Sequence, residues 1–89
     1  MENKIVTKEE ILKWTERIKP IIPKLTINDI IHESEARAKA QTMLTNMNAY
    51  ISDSKHFMKQ GDYVRSFEAI VWAWAIYEIC KELEVFIEE

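Results

Sequence analysis

A single glycine, Gly61, separates two long stretches that contain neither glycine nor proline, residues 24–60 and 62–89. A many-stranded sheet would need turn-forming residues about every 8 to 12 positions, so helices are the expected structure. Gly61 can adopt the left-handed conformation that ends a helix, and Asp62 can cap the start of the next one. The sequence therefore predicts an antiparallel hairpin of two long helices, at about 29–60 and 62–87.

A shorter helix is predicted before this hairpin. Thr7 and Glu10 form a capping box, in which the hydroxyl and the carboxylate satisfy backbone N–H groups that have no partner within the helix. Two prolines, Pro20 and Pro23, then end the helix because neither has an N–H to donate. We expect the first helix at about 8–19.

The remaining segments complete a single all-α domain over residues 1–89. Residues 19–27 are expected to form a linker, after which Asn28 is a suitable N-cap for the second helix. A chain of 89 residues has room for one hydrophobic core. The predicted architecture is a three-helix up-and-down bundle, in which the short first helix packs on the long hairpin.

Composition and charge exclude several classes of function. The single cysteine, Cys80, excludes an internal disulfide and a four-cysteine zinc site, and it indicates a reducing compartment. Residues 1–8 lack the apolar run of a signal peptide, so we expect a cytoplasmic protein. Residues 61–89 carry seven acidic and two basic groups, whereas surfaces that bind nucleic acid are usually basic. The third helix is too short and too charged at its ends for a membrane span, so we expect neither nucleic acid nor membrane as a partner.

The third predicted helix is apolar on every side between Ala69 and Tyr77. A helix of that kind is usually buried in a core larger than one hairpin provides. Both of its flanks beside the second helix are apolar. One flank contains Val64, Phe67, Val71 and Trp74, and the other contains Trp72, Ile76, Ile79, Leu83 and Phe86.

The first helix is long enough to cover only one of these flanks. Its end joins the start of the second helix, which lies beside the end of the third, so we expect it over Ile76, Ile79 and Leu83. The other flank would stay open, and its two aromatic side chains and two valines exceed what a small monomer usually exposes. We predict this flank as the interface with a partner protein or a second copy of the chain. Its residues are Val64, Phe67, Val71 and Trp74.

Candidate catalytic and metal-binding groups are few. Asp29 with His32, and Asp53 with His56, have the spacing of helical metal ligands, but the two pairs lie roughly 36 Å apart along one helix. Cys80 falls on the seam between the long helices, which is typical of a small buried apolar residue. One glycine cannot build a glycine-rich phosphate loop. We expect no metal, no cofactor and no enzymatic activity.

Three segments resemble an archaeal family of small helical proteins. They are residues 53–57 (DSKHF), 61–69 (GDYVRSFEA) and 72–75 (WAWA). The family is catalogued as domain of unknown function number three-five-seven. The resemblance covers about the C-terminal 40 residues, and the first helix resembles the family only in its position along the chain. It implies a three-helix bundle without an assigned activity. Glu84 stands where we expect the family to have a glycine that ends the last helix.

Two functions of different classes are compatible with these features. The first is a non-enzymatic module that binds a protein partner, or another copy of itself, through the apolar third helix. The alternative is a small-molecule or nucleotide-related binding protein, in which Tyr50, Trp72 and Trp74 line a pocket between helices. A filled core with an apolar surface favours the first function, and an open cavity with converging polar groups favours the second.

Overall fold

The computed structural model describes residues 6–89 and contains three helices and two short strands. In chain order these are α1 (Lys8–Ile18), β1 (Leu25–Ile27), α2 (Ser34–Lys59), α3 (Tyr63–Glu82) and β2 (Phe86–Glu88). A 3-10 turn at Ile22–Lys24 precedes β1. Helices α2 and α3 form a long antiparallel hairpin, and α1 packs against α3, which confirms the predicted all-α three-helix bundle. Residues 1–5, which belong to the predicted domain and to the segment examined for a signal peptide, lie outside the described residues.

The turn between α2 and α3 forms at Gly61, as the sequence predicts. Gly61 has a φ of +76°, in the left-handed region that side chains disfavour. Its amide donates to the carbonyl of Met58, and the Asp62 amide donates to the carbonyl of Phe57 at 2.9 Å. The Asp62 carboxylate then accepts a hydrogen bond from the Arg65 amide at 3.1 Å, which caps α3. These bonds satisfy the backbone groups that two adjacent helix ends leave without a partner.

Small side chains let α2 and α3 pack closely along the hairpin. Ser54 and Ser66 are buried and face one another, and Ala73 is fully buried on α3. Larger apolar side chains fill the core around them. Those buried in a common cluster include Met47, Ile51, Ile70, Ile76, Tyr77 and Cys80 from the hairpin, and Ile11, Ile18, Leu25 and Phe86 from the other segments.

Helix α1 begins as predicted. The Thr7 hydroxyl accepts a hydrogen bond from the Glu10 amide at 3.1 Å, which confirms Thr7 as the N-cap. The buried face of the helix consists of Ile11, Thr15 and Ile18, at the spacing of successive helical turns. The Thr15 hydroxyl donates to the Ile11 carbonyl at 2.9 Å, so this buried polar group has a partner.

The start of α2 differs from the prediction. The helix begins at Ser34, and Glu33 is its N-cap, with carboxylate oxygens that accept from the amides of Glu35 and Ala36. These backbone hydrogen bonds stabilise the charged form and hold the pKa of Glu33 below its usual value. The predicted N-cap, Asn28, instead donates from its side chain to the Glu84 carbonyl at 2.8 Å. The expected helix over 29–60 was wrong at its start because Asn28 belongs to a contact with the C-terminal segment.

The end of α3 also differs from the prediction. The helix ends at Glu82 and not at residue 87, and Glu84 adopts a left-handed conformation with a φ of 59°. The chain then reverses into β2, which pairs with β1 in antiparallel register, with Leu25 opposite Glu88 and Ile27 opposite Phe86. The predicted linker over 19–27 therefore contains a strand. This pairing buries Phe86, which the sequence pattern predicts on the last helix.

Candidate interaction surfaces of the third helix

Helix α1 covers the flank of α3 that we expected to stay open. The rings of Trp14 and Trp74 meet edge to face, with centroids 5.8 Å apart, and the Trp74 indole N–H donates to the Trp14 carbonyl at 3.1 Å. The prediction that α1 lies over the flank of Ile76, Ile79 and Leu83 was therefore wrong, since Ile79 and Leu83 are exposed. It assumed that the linker over 19–27 has no structure of its own, whereas this segment forms β1 and is held beside the end of α3.

The four residues of the predicted interface lie in two different environments. Val64 and Val71 are 63% and 47% exposed, whereas Phe67 and Trp74 are half-buried beside α1. Phe67, Val71 and Trp74 line one groove beside α1 and Val64 lies outside it, so the structure does not bring all four together as one open surface. Contact of these residues with a partner stays a prediction.

A groove of about 460 Å³ separates α1 from the outer side of α3. Its apolar wall is formed by Trp14, Phe67, Ile70, Val71, Trp74 and Ala75, and its two polar residues are Glu10 and Glu78. Glu10 accepts a hydrogen bond from the Trp14 indole N–H at 3.1 Å. The groove is therefore an aromatic cleft with one carboxylate from α1 and one from α3.

The opposite flank of α3 is open to solvent. Trp72, Ile79 and Leu83 are 58%, 56% and 69% exposed, and they share one face of the helix because they are seven and four residues apart. Tyr50 of α2 stacks on Trp72, with ring centroids 6.1 Å apart and planes 21° from parallel. Met43, two turns before Tyr50 on the same face of α2, is also exposed. We call these five residues the open stripe.

Sequence reasoning placed Trp72, Ile79 and Leu83 on one flank but missed that this flank is the exposed one. The signal was present, because all three are large apolar residues at helical spacing. What was missing was the position of α1. That position depends on the contact of Trp14 with Trp74, which lie 60 residues apart in the chain.

The interior of the described bundle offers no polar site for a ligand. Ser54 and Ser66 are buried, but each hydroxyl donates to the backbone carbonyl of the other residue, at 2.8 and 2.7 Å. Within residues 6–89, every buried side-chain nitrogen and oxygen has a hydrogen-bond partner.

Comparison with known proteins places this fold in a family. The family described as protein of unknown function, DUF357, matches residues 13–86. The chain belongs to the DUF357 family. A crystal structure of a DUF357 protein from Archaeoglobus fulgidus is 37% identical to the chain, covers 91% of it and 91% of its own length, and has a TM-score of 0.74. A search of curated proteins found no match.

The match confirms the resemblance and extends it beyond the C-terminal segments that first carried it. The DUF357 bundle is thus a fold that this chain shares with an archaeal protein. Among residues 6–89, no helix has both the length and the apolar character that crossing a membrane requires.

The reactive groups that the structure of this DUF357 chain describes, all within residues 6–89, do not converge. Cys80 is buried, and burial raises the pKa of its thiol, so the nucleophilic thiolate is disfavoured. His32 and His56 are exposed near opposite ends of the second-helix region. In the part of the chain that the structure describes, no three His, Cys, Asp or Glu residues are grouped so that they could hold a metal ion.

One polar cluster joins β2 to α3. The Tyr77 hydroxyl and the Lys81 ammonium both donate to the same carboxylate oxygen of Glu88, the latter at 2.9 Å. These hydrogen bonds hold the pKa of Glu88 below its usual value, and burial together with the Glu88 contact raises the pKa of Tyr77. The cluster fixes the C-terminal strand against the helix, so its role is structural.

Proposed function

We propose that this DUF357 protein is a non-enzymatic interaction module that binds another protein through the open stripe. The supporting observation is that Trp72, Ile79 and Leu83 are each more than half exposed on one face of a helix whose inner face is fully buried. Three large apolar side chains at such exposures leave on the order of 300 Å² of contiguous apolar surface in water. Patches of this size on small proteins commonly serve binding.

The shape of the stripe favours a helical partner. From Trp72 to Leu83 it runs about 16 Å along a straight helix, at 1.5 Å per residue. An amphipathic helix buries side chains at the same spacing and can lie along such a surface. Met43, at the edge of the stripe, is flexible and can adapt to the partner.

Charge favours a different protein over a second copy. Glu68 and Glu82 are exposed on α3 on the outer side of the stripe. A two-fold contact between copies would place the Glu68 and Glu82 carboxylates of both α3 helices beside one interface, which weakens association. A partner with basic residues beside its apolar contact would avoid this repulsion.

The test is co-purification from native cells with matched variants. We expect Ile79→Ser and Leu83→Ser to lose a partner that the wild-type protein retains, because they remove apolar contact area. Leu12→Ser is the control, since Leu12 is an exposed apolar residue of α1 that lies away from the stripe. Circular dichroism must show that all three variants stay folded.

Two results would contradict the proposal. One is a partner that Ile79→Ser and Leu83→Ser retain as well as the control does. The other is a stable dimer of the purified wild-type protein in light scattering that Leu83→Ser dissociates, since the occupant of the stripe would then be a second copy.

A further inference from the structure

The groove between α1 and α3 is separate from the open stripe and has its own chemistry. Its volume of about 460 Å³ lies within the range of small-ligand pockets, roughly 300 to 1,000 Å³. Its floor is the fully buried Ile70, and its walls include the rings of Trp14, Phe67 and Trp74. An apolar body of a few carbon atoms would replace water against these surfaces.

The aromatic walls are held in place before any ligand binds. The Trp74 indole N–H donates to the Trp14 carbonyl, and the Trp14 indole N–H donates to Glu10, both at 3.1 Å. The Trp74 ring also meets Tyr77 edge to face at 5.6 Å. Both indole N–H groups are thus already satisfied, so the rings present their apolar surfaces to the groove. A fixed wall lowers the conformational cost of binding.

The charge of the groove selects the sign of its ligand. Glu10 and Glu78 are its two charged residues, and among residues 6–89 no lysine, arginine or histidine lines it. The Oε1 atom of Glu10 accepts from the Trp14 indole N–H and lies 3.8 Å from the Lys13 ammonium. None of the described ion pairs involves Glu78. Carboxylates beside aromatic rings attract a cation and repel phosphate or carboxylate groups. This argues against the nucleotide that the sequence left open.

The Trp14 ring already shows this attraction. The Lys13 ammonium and the Arg17 guanidinium lie 5.4 and 5.0 Å from the ring centroid, within cation–π distance. Neither residue lines the groove. Lys13 also lies 3.8 Å from the Glu10 carboxylate, whereas no described ion pair involves Glu78, so the groove lining itself contributes no cation.

We infer that the groove binds a small organic cation, an amine or guanidine that carries an apolar body. The apolar body lies against Trp14, Phe67 and Trp74, and the positive group lies between Glu10 and Glu78. The site needs no contact with the open stripe, so it does not depend on the proposed function.

The test uses 2-phenylethylamine as the probe, with neutral 2-phenylethanol and anionic 3-phenylpropanoate as its counterparts. The chain has three tryptophans, so each indole N–H gives one signal in a nitrogen–proton NMR spectrum. We expect the amine at millimolar concentration to shift the signals of Trp14 and Trp74. The signal of Trp72 should not move, since Trp72 lies on the opposite flank of α3 and serves as an internal control.

The size of the preference tests the charge argument. We expect the amine to bind about fivefold more tightly than the alcohol, as one or two exposed ion pairs allow. Glu78→Gln should reduce this preference, and Glu10→Gln with Glu78→Gln should abolish it. Glutamine at position 10 keeps an acceptor for the Trp14 indole. Glu68→Gln is the matched control, because Glu68 is an exposed carboxylate of α3 outside the groove.

Four results would overturn the inference. These are an unchanged position of the Trp14 and Trp74 signals, equal binding of amine and alcohol, an equal shift of the Trp72 signal, and movement of the Trp14 and Trp74 signals with protein concentration alone. The last would show that a second copy of the chain occupies the groove. Each result concerns the groove only, so the open stripe is tested independently.

Discussion

Ser54 and Ser66 join α2 to α3 through reciprocal hydrogen bonds between side chain and backbone. Their hydroxyl oxygens lie 3.0 Å apart, and both side chains are almost completely buried. A serine hydroxyl that is hydrogen-bonded at the helix contact is not left without a partner on burial, and it occupies little volume. The pair thus allows two long helices to approach closely in the middle of a small core.

Ser66→Val is expected to lower the free energy of unfolding by about 2 to 4 kcal/mol, because it overfills the contact and removes a hydrogen bond to Ser54. Ser52→Val makes the same change at an exposed position of α2, so its cost should stay within about 0.5 to 1 kcal/mol. Urea unfolding followed by circular dichroism measures both. An equal loss in the two variants would show that the helix contact tolerates the larger side chain.

Glu88 gives the fold a pH dependence whose sign follows from its lowered pKa. The ordinary pKa of a glutamate carboxyl is 4.5, and a carboxylate whose pKa is lowered in the folded state stabilises the protein at pH values above 4.5. This stability is lost as the pH falls through the folded-state pKa. Glu88→Gln should therefore lower the melting temperature near neutral pH and have little effect in strong acid. Glu89→Gln, at an exposed neighbour, is the control. A difference that persists unchanged in strong acid would exclude this charge as its cause.

At the scale of elements, the segment after α3 is specified by contacts and not by a local signal. Glu84 turns the chain with a positive φ although it carries a side chain. The turn is stabilised by the Val85 amide, which donates to the Cys80 carbonyl at 2.8 Å, and by the Asn28 side chain. The gain from pairing β2 with β1 and burying Phe86 thus exceeds the local cost of the left-handed residue.

Glu84→Gly is expected to raise the free energy of unfolding by about 0.5 to 1 kcal/mol, since glycine adopts this conformation without steric cost. The hydrogen bonds of residue 84 use its backbone and would be kept. Glu82→Gly, at the last residue of α3, should instead lower stability by a similar amount. A destabilised Glu84→Gly variant would show that the Glu84 side chain itself supports the turn.

The same contrast explains which elements could be predicted from the sequence. Thr7 and Gly61 carry their own conformational signals, so the start of α1 and the hairpin turn were predicted correctly. Asn28 and Glu84 carry no signal for the bond between them, because that bond joins residues 56 positions apart. Local patterns therefore gave the helices but neither strand. The prediction of which flank of α3 is covered was wrong for the same reason, because the Trp14–Trp74 contact also joins distant residues.

At the scale of the whole molecule, the bundle is elongated, about 49 Å by 24 Å by 23 Å. Its core is filled along the hairpin, and its unusual features lie on the two flanks of α3. One flank forms a groove with α1, and the other exposes the open stripe. The DUF357 match identifies the family of the chain and assigns no activity to it. The functions proposed above therefore rest on these two surfaces.

The most direct test of the account is site-specific photo-crosslinking in native cells. A benzophenone side chain replaces Ile79 in the open stripe or, as the control, Lys55, which is exposed on α2 outside it. We expect irradiation to give one discrete adduct with another protein from position 79 and none from position 55. No adduct from position 79, or the same adducts from both positions, would contradict the proposal that the open stripe binds a partner.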